Sequence, residues 1–163
     1  MATKFNISVD ASFRDKFQIF DENEQLLAKI PTNLATDFFN IFLGWLINLP
    51  QTFTFHLNHQ VVAVNNHPKF LGASATINVD QQPVAQVHRQ RKNVPPFTVE
   101  LAGQTLTVTT NSGYFSVHDS NRKLIVAKRG THNLDRYSVV ITDEITPEVG
   151  LGITIAVLSA IKH

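Results

Sequence analysis

The chain has 163 residues, which suits one domain, because two domains would leave too few residues in each for a sizeable core. Its 14 Lys and Arg balance 13 Asp and Glu, and this near-neutral charge argues against a dedicated nucleic-acid binder, which needs many cationic contacts to phosphate. The absence of cysteine excludes disulfides, thiolate metal sites and a cysteine nucleophile.

Strands are expected from the start of the chain, because β-branched residues are abundant and favour extended structure. The first segment with period-2 alternation runs from Phe5 to Val9, and the residues before it lack the apolar run of a signal peptide. Together with the absence of cysteine, this predicts a cytoplasmic protein, either free or peripheral to a membrane.

One hairpin pattern, an alternating run on each side of a polar turn, occurs five times. Its first and last copies, 16–30 and 114–128, both place Asp at the start of the turn and Asn two residues later. The Asp side chain can accept hydrogen bonds from turn amides, and Asn tolerates the left-handed backbone of many hairpin loops. The central copies are 52–65, 75–88 and 97–110, with turns predicted at Asn58-His59, Asp80-Gln81-Gln82 and Ala102-Gly103.

An apolar insertion bounded by Pro31 and Pro50 separates the first two hairpins. Small or polar residues recur every four positions within it, which predicts an inserted helix near residues 34–48 with a broad apolar surface. Three roles remain open: packing against the rest of the fold, a surface for a partner or for self-association, and an interfacial membrane helix. An interfacial helix usually carries Lys and Arg, and this one has none. The predicted interaction surface consists of Phe38, Phe39, Phe42, Trp45 and Leu46.

The last predicted elements are a strand at 137–142 and a helix at 147–161. Thr146 can cap this helix, Pro147 suits its first turn, and Glu148 complements the helix dipole. The helix is apolar on every side, which is typical of a helix buried in a core. Its run of thirteen apolar residues spans only about 20 Å, so burial is favoured over membrane insertion.

The predicted elements add up to about twelve strands joined by short antiparallel connections. A sheet of this size usually closes or splits, and a closed barrel of twelve strands has a lumen that its own side chains cannot fill. The sequence therefore predicts a single domain over 1–163 of mainly β character with helices (α+β). Its architecture is a closed antiparallel barrel around a buried apolar C-terminal helix.

The order of these elements resembles the tubby C-terminal-like superfamily, which includes the LURP-one-related proteins and the phospholipid scramblases. The resemblance rests on the first hairpin, on the strand Tyr137–Ile141 followed by Asp143-Glu144, and on the apolar C-terminal helix. It implies a twelve-stranded barrel threaded by that helix. Tubby domains as a family bind phosphoinositides, so it also implies an anionic lipid ligand. The chain departs from the family at Glu24 and Arg122, where relatives usually have Gly, and in the apolar insertion.

The sequence contains no recognisable catalytic motif, so a non-enzymatic protein without cofactors is expected. His56 and His59 have a metal-like spacing but flank a predicted turn, and no metal site is expected. The net charge is negative in the first half of the chain and positive in the second half. The residues predicted to bind an anionic headgroup are Arg89, Arg91, Lys92, Arg122, Lys123, Lys128 and Arg129.

Two functions follow as alternatives. In the first, the protein binds anionic lipid headgroups at a membrane surface through its basic loops. In the second, the apolar inserted helix serves protein interaction or self-association. The expected partner is accordingly an anionic membrane lipid or another protein, with no nucleic acid and no transmembrane span, and the oligomeric state stays open.

Overall fold

A computed structural model describes residues 2–9, 15–31, 51–69, 72–90, 97–120, 122–133 and 135–161 of the chain. The inserted helix predicted near 34–48 lies outside the described residues, and so do the basic residues Arg91 and Lys92. The same holds for the predicted interaction surface of Phe38, Phe39, Phe42, Trp45 and Leu46.

The described residues form twelve strands and one helix, and each predicted hairpin is confirmed. The strands are β1 (Thr3–Val9), β2 (Asp15–Asp21), β3 (Leu26–Pro31), β4 (Gln51–Leu57), β5 (Gln60–Lys69), β6 (Gly72–Val79), β7 (Gln82–Gln90), β8 (Phe97–Leu101), β9 (Gln104–Asn111), β10 (Tyr114–His118), β11 (Lys123–Arg129) and β12 (Arg136–Ile141). The helix, α1, spans Pro147–Ile161.

The twelve strands form one antiparallel sheet in the order β3-β2-β1-β12-β11-β10-β9-β8-β7-β6-β5-β4. The first and last strands of the chain are neighbours, with Phe5 opposite Val139. The edge strands β3 and β4 lie against each other. The rings of Phe17 and Phe53 meet edge to face across this seam, with centroids 5.4 Å apart. The sheet is therefore a nearly closed barrel with one C-terminal helix.

The first and last hairpin turns use aspartate as expected. Asp21 Oδ1 accepts hydrogen bonds from the amides of Asn23 and Gln25, each at 2.9 Å. Asp119 Oδ1 accepts one from the Arg122 amide at 2.8 Å. The expectation that Asn takes the left-handed position of the first turn is wrong, because Glu24 takes it with a φ of 65°. The Asn23 amide donates to Asp21, and the left-handed residue is the next one in the chain.

Helix α1 is buried over 150–159. Its first intrahelical bond runs from the Gly150 amide to the Thr146 carbonyl at 2.9 Å, so Thr146 is the N-cap residue. A Cβ atom at Gly152 would lie 2.6 Å from Cγ2 of Ile77 on β6. The helix therefore touches the sheet here at a distance that only glycine permits.

Side chains of the barrel hold α1 at both ends. Asn58, in the turn between β4 and β5, donates to Glu148 Oε1 at 2.8 Å, and we call this side of the barrel the near end. At the far end, Arg89 Nη1 donates to the Ala160 carbonyl at 2.9 Å. Asn66 Nδ2 donates to Ser159 Oγ at 3.3 Å beside it. Successive strands run between the two ends in alternating directions.

Two acidic residues follow the last strand. β12 ends at Ile141, and Asp143 and Glu144 both lie in the turn before α1. The turn forms because the Thr142 amide donates to the Leu124 carbonyl at 3.0 Å and the Ile145 amide donates back to the Thr142 carbonyl at 3.2 Å. The carboxylate of Glu144 is therefore carried by a loop at the near end.

Candidate functional site

The basic residues predicted to bind an anionic ligand do not all lie together. Arg122 and Lys123 stand at the near end of β11, whereas Arg129 ends the same strand at the far end. Six residues of extended chain separate Lys123 from Arg129, a distance of about 20 Å. A single headgroup cannot contact both ends of β11 at once.

Arg89 has a structural partner. Its guanidinium donates to the last turn of α1 and lies over the ring of Phe97, 5.6 Å from the centroid. A cation at this place satisfies a helix carbonyl that has no intrahelical donor and complements the negative end of the helix dipole. The guanidinium of Arg89 thus makes its contacts within the fold, with α1 and with Phe97.

Lys128 and Arg129 lie near the turn that joins β9 to β10. Lys128 is exposed and stands directly opposite Tyr114 in the ladder of β10 and β11. The Arg129 amide donates to the Gly113 carbonyl at 2.6 Å. Lys128 is therefore the member of this pair that shares the outer face with Tyr114.

A pocket of about 310 Å³ opens on the outer face of β9, β10 and β11. Alternation along β10 forms it: Phe115 and Val117 enter the core, so the side chains between and beside them face outward. The residues that line the pocket are Thr109, Tyr114, Ser116, His118, Asp119, Ser120, Arg122 and Lys123. We call this the outer pocket.

Lys123 and Tyr114 form the basic wall of the outer pocket. Lys123 Nζ donates to the Tyr114 hydroxyl at 3.0 Å and lies 5.5 Å from the centroid of its ring. This hydrogen bond is the main cause that lowers the pKa of Tyr114 below its ordinary value of 10.0, while burial acts in the opposite direction. A hydrogen bond with Ser116 and the charges of Lys123 and Lys128 lower the pKa further. The phenol of Tyr114 therefore lies in a positive electrostatic potential.

His118 and Thr109 form the opposite wall. His118 Nδ1 lies 3.2 Å from the Asp119 carbonyl, and Nε2 lies 2.7 Å from Thr109 Oγ1. Because a carbonyl only accepts, the neutral imidazole carries its proton on Nδ1 and accepts from the Thr109 hydroxyl through Nε2. Thr109 and His118 thereby fix each other's orientation at the rim.

Arg122 carries two carboxylate partners. Its Nη2 lies 3.8 Å from Asp119 Oδ2, and its Nη1 donates to Glu144 Oε1. Asp119 belongs to the same turn, whereas Glu144 comes from the turn between β12 and α1. The guanidinium thus connects the rim of the outer pocket to the segment that leads into the helix.

Sequence reasoning identified Arg122 and Lys123 but missed the neutral part of the site. The missed residues carried a signal, because Tyr114, Ser116 and His118 alternate with apolar residues on a strand. Such alternation places three polar side chains on one face, next to Thr109 of the neighbouring strand. No comparable sequence pattern indicates that Glu144 would contact Arg122 at this site.

Across the described ranges, no group of three or more His, Cys, Asp or Glu side chains could hold a metal ion. None of the helices in these ranges has both the length and the apolar character needed to cross a membrane. A scan against protein-family models, a search of curated proteins and a search of solved structures each found no match. What defines the protein is an antiparallel barrel with a basic pocket on its outer face.

Proposed function

We propose that the protein is a non-enzymatic, tubby-like barrel module that binds anionic lipid headgroups at a membrane surface, with the headgroup phosphate in the outer pocket. The observation that carries this proposal is that Lys123 lines the outer pocket, with its Nζ 3.0 Å from the Tyr114 hydroxyl, while Lys128 stands opposite Tyr114 in the neighbouring strand. In this proposal α1 is the apolar helix at the centre of a closed barrel, and the pocket lies on the outer face of the strands.

The charge of Lys123 supports an anionic ligand. Its ammonium contacts a neutral hydroxyl and an aromatic ring, and neither group neutralises a positive charge. A phosphate oxygen that enters the pocket would meet Lys123, together with the Tyr114 hydroxyl, which can donate to it. The pocket volume of about 310 Å³ is large enough for a headgroup phosphate.

The expected attachment is weak and peripheral. A Lys or Arg near an anionic membrane surface contributes about 1 kcal/mol, and this contribution decreases as salt screens the charges. Few cations are within reach, so binding requires a membrane rich in anionic lipid. The resemblance to the tubby-like superfamily supports the same class of ligand.

Co-sedimentation with vesicles tests the proposal. We expect the protein to sediment with phosphatidylcholine vesicles that contain phosphatidylglycerol, and to be released as salt is raised. The double variant Lys123→Gln with Lys128→Gln should lose most of this binding. Its matched control is Lys4→Gln with Lys29→Gln, which removes the same charge from two exposed lysines on other strands. No sedimentation at low salt, or equal loss in both double variants, would overturn the proposal.

The alternative function, protein interaction or self-association through the inserted helix 34–48, stays a prediction on residues outside the described ranges. Light scattering tests it directly. A mass above the monomer that falls in Phe42→Ser supports it, and a monomer unchanged by Phe42→Ser contradicts self-association.

A further inference from the structure

We infer that Glu144 is an internal competitor of the anionic ligand for Arg122, so that the outer pocket of the resting protein is partly closed by the protein's own carboxylates. This inference rests on the proposed function, because it concerns the affinity of the same pocket. It assigns a regulatory role to a residue of the loop that leads into α1.

The geometry of the guanidinium carries the inference. Its two terminal nitrogens form the fork that binds a phosphate in two parallel hydrogen bonds. In this protein, Nη1 donates to Glu144 and Nη2 faces Asp119 at 3.8 Å. Both prongs of the fork are therefore directed at carboxylates, and a phosphate can take the fork only by displacing at least one of them.

Glu144 is the carboxylate that can leave. Asp119 is held in its turn, because its other oxygen accepts the Arg122 amide at 2.8 Å. The Glu144 side chain is 43% exposed against 27% for Asp119, so a displaced Glu144 can be solvated at little cost. Its turn keeps the backbone hydrogen bond from the Ile145 amide to the Thr142 carbonyl at 3.2 Å without the ion pair.

Removal of the competitor should strengthen anion binding. Glu144→Gln keeps the size of the side chain and removes its charge, which weakens its contact with Arg122 Nη1 and makes this nitrogen easier for the ligand to take. We expect half-saturation of phosphatidylcholine–phosphatidylglycerol vesicles at about a two- to fivefold lower lipid concentration, the range that an exposed ion pair supports. The matched control is Glu22→Gln, which makes the same change in net charge in another exposed turn of the near end.

A second variant separates competition from a general change of charge. In an Arg122→Gln background, the gain from Glu144→Gln should disappear, because Glu144 then has no guanidinium to occupy. Circular dichroism and thermal unfolding check that each variant is folded, and Glu144→Asp, whose shorter side chain withdraws the carboxylate, is expected to act in the same direction.

The outcomes distinguish this inference from the proposed function. If wild-type protein binds the vesicles through Lys123 and Lys128, but Glu144→Gln behaves like Glu22→Gln, the competition is refuted and the lipid-binding module stands. A gain that persists without Arg122 refutes it as well. Wild-type protein that does not bind the vesicles overturns the proposed function and the inference with it.

Discussion

The guanidinium of Arg89 lies between the barrel wall and the last turn of α1, where it donates to the Ala160 carbonyl and covers the ring of Phe97. Its basic neighbours in sequence suggest a ligand-binding loop, but the contacts it makes are those of a helix cap. A residue of this kind affects ligand binding through the stability of the fold. Loss of vesicle binding in an Arg89 variant would not identify a lipid contact.

Arg89→Ala should therefore destabilise the protein. The substitution removes a charge-assisted hydrogen bond and leaves a carbonyl at the end of α1 without its donor, at a cost of about 1–2 kcal/mol. Arg89→Lys keeps a cation near that carbonyl and should cost less. Equilibrium denaturation in urea measures both free energies of unfolding. Equal stability of wild type and Arg89→Ala would contradict the capping role.

Tyr114 gives a second prediction at the residue scale, because the chain has only two tyrosines and the other, Tyr137, is buried. Ultraviolet absorbance should detect one phenol that ionises below pH 10.0 in the folded protein. Lys123→Gln should raise the pKa of Tyr114, since the hydrogen bond from Lys123 is the main cause of the lowering. A titration curve unchanged by Lys123→Gln would refute the Lys123–Tyr114 contact.

The sign of the accompanying stability change follows from linkage. The folded-state pKa of Tyr114 lies below the value of the unfolded chain, so the folded state releases this proton first. The contribution to stability appears as pH rises through the lowered pKa and is fully present above the unfolded value. It is lost as pH falls below the lowered pKa, and Lys123→Gln should reduce it.

At the scale of elements, the close packing of α1 against the sheet depends on Gly152. A Cβ at Gly152 would lie 2.6 Å from Ile77 Cγ2 and 3.3 Å from Val62 Cγ1. Gly152→Ala should overpack this contact and lower the free energy of unfolding by about 1–3 kcal/mol. This loss exceeds the gain of about 1 kcal/mol from the higher helix propensity of alanine. We expect a net loss of about 1 kcal/mol by chemical denaturation.

A double-mutant cycle checks the cause of that loss. Ile77→Ala removes the side-chain atoms that alanine at 152 would meet, so the two substitutions together should cost less than the sum of the single changes. Additive costs would show that Gly152→Ala acts through something other than the wall of β6.

The elements themselves were largely predictable from the sequence, for local reasons. Several turns contain a residue suited to their backbone: Asn58 and Gly103 both have positive φ, which Asn and Gly tolerate. Alternation fixed the strands on each side, and Thr146, Pro147 and Glu148 predicted the start of α1. All of these signals lie within a few residues of the structure they specify.

The candidate site was predictable only in part, because it depends on strand direction and on a distant loop. That Lys123 and Arg129 lie at opposite ends of one strand follows from its length, and the sequence prediction overlooked this. The contact of Arg122 with Glu144 depends on how the barrel brings the turn before α1 next to the turn between β10 and β11. No pattern in either segment specifies that arrangement.

At the scale of the whole molecule, pairing of β1 with β12 joins the start of the chain to its last strand, and the edge strands β3 and β4 meet at the remaining gap. Helix α1 packs against β5, β6, β7 and β11, and it is held by Asn58 at one end and by Arg89 at the other. Since α1 is buried over 150–159, a ligand is expected on the outside, and the outer pocket lies there on β9, β10 and β11. The position of α1 therefore favours a ligand site on the outer face of the barrel, as the proposed function requires.

The most direct measurement is a nitrogen-15 NMR titration of the folded protein with glycerol phosphate, the soluble counterpart of the anionic headgroup. Binding at the outer pocket predicts amide shift changes concentrated at Tyr114, Ser116, His118 and Lys123, and their loss in the Lys123→Gln and Lys128→Gln double variant. Shift changes confined to the far end, or spread evenly over the barrel and retained in that variant, would contradict the account.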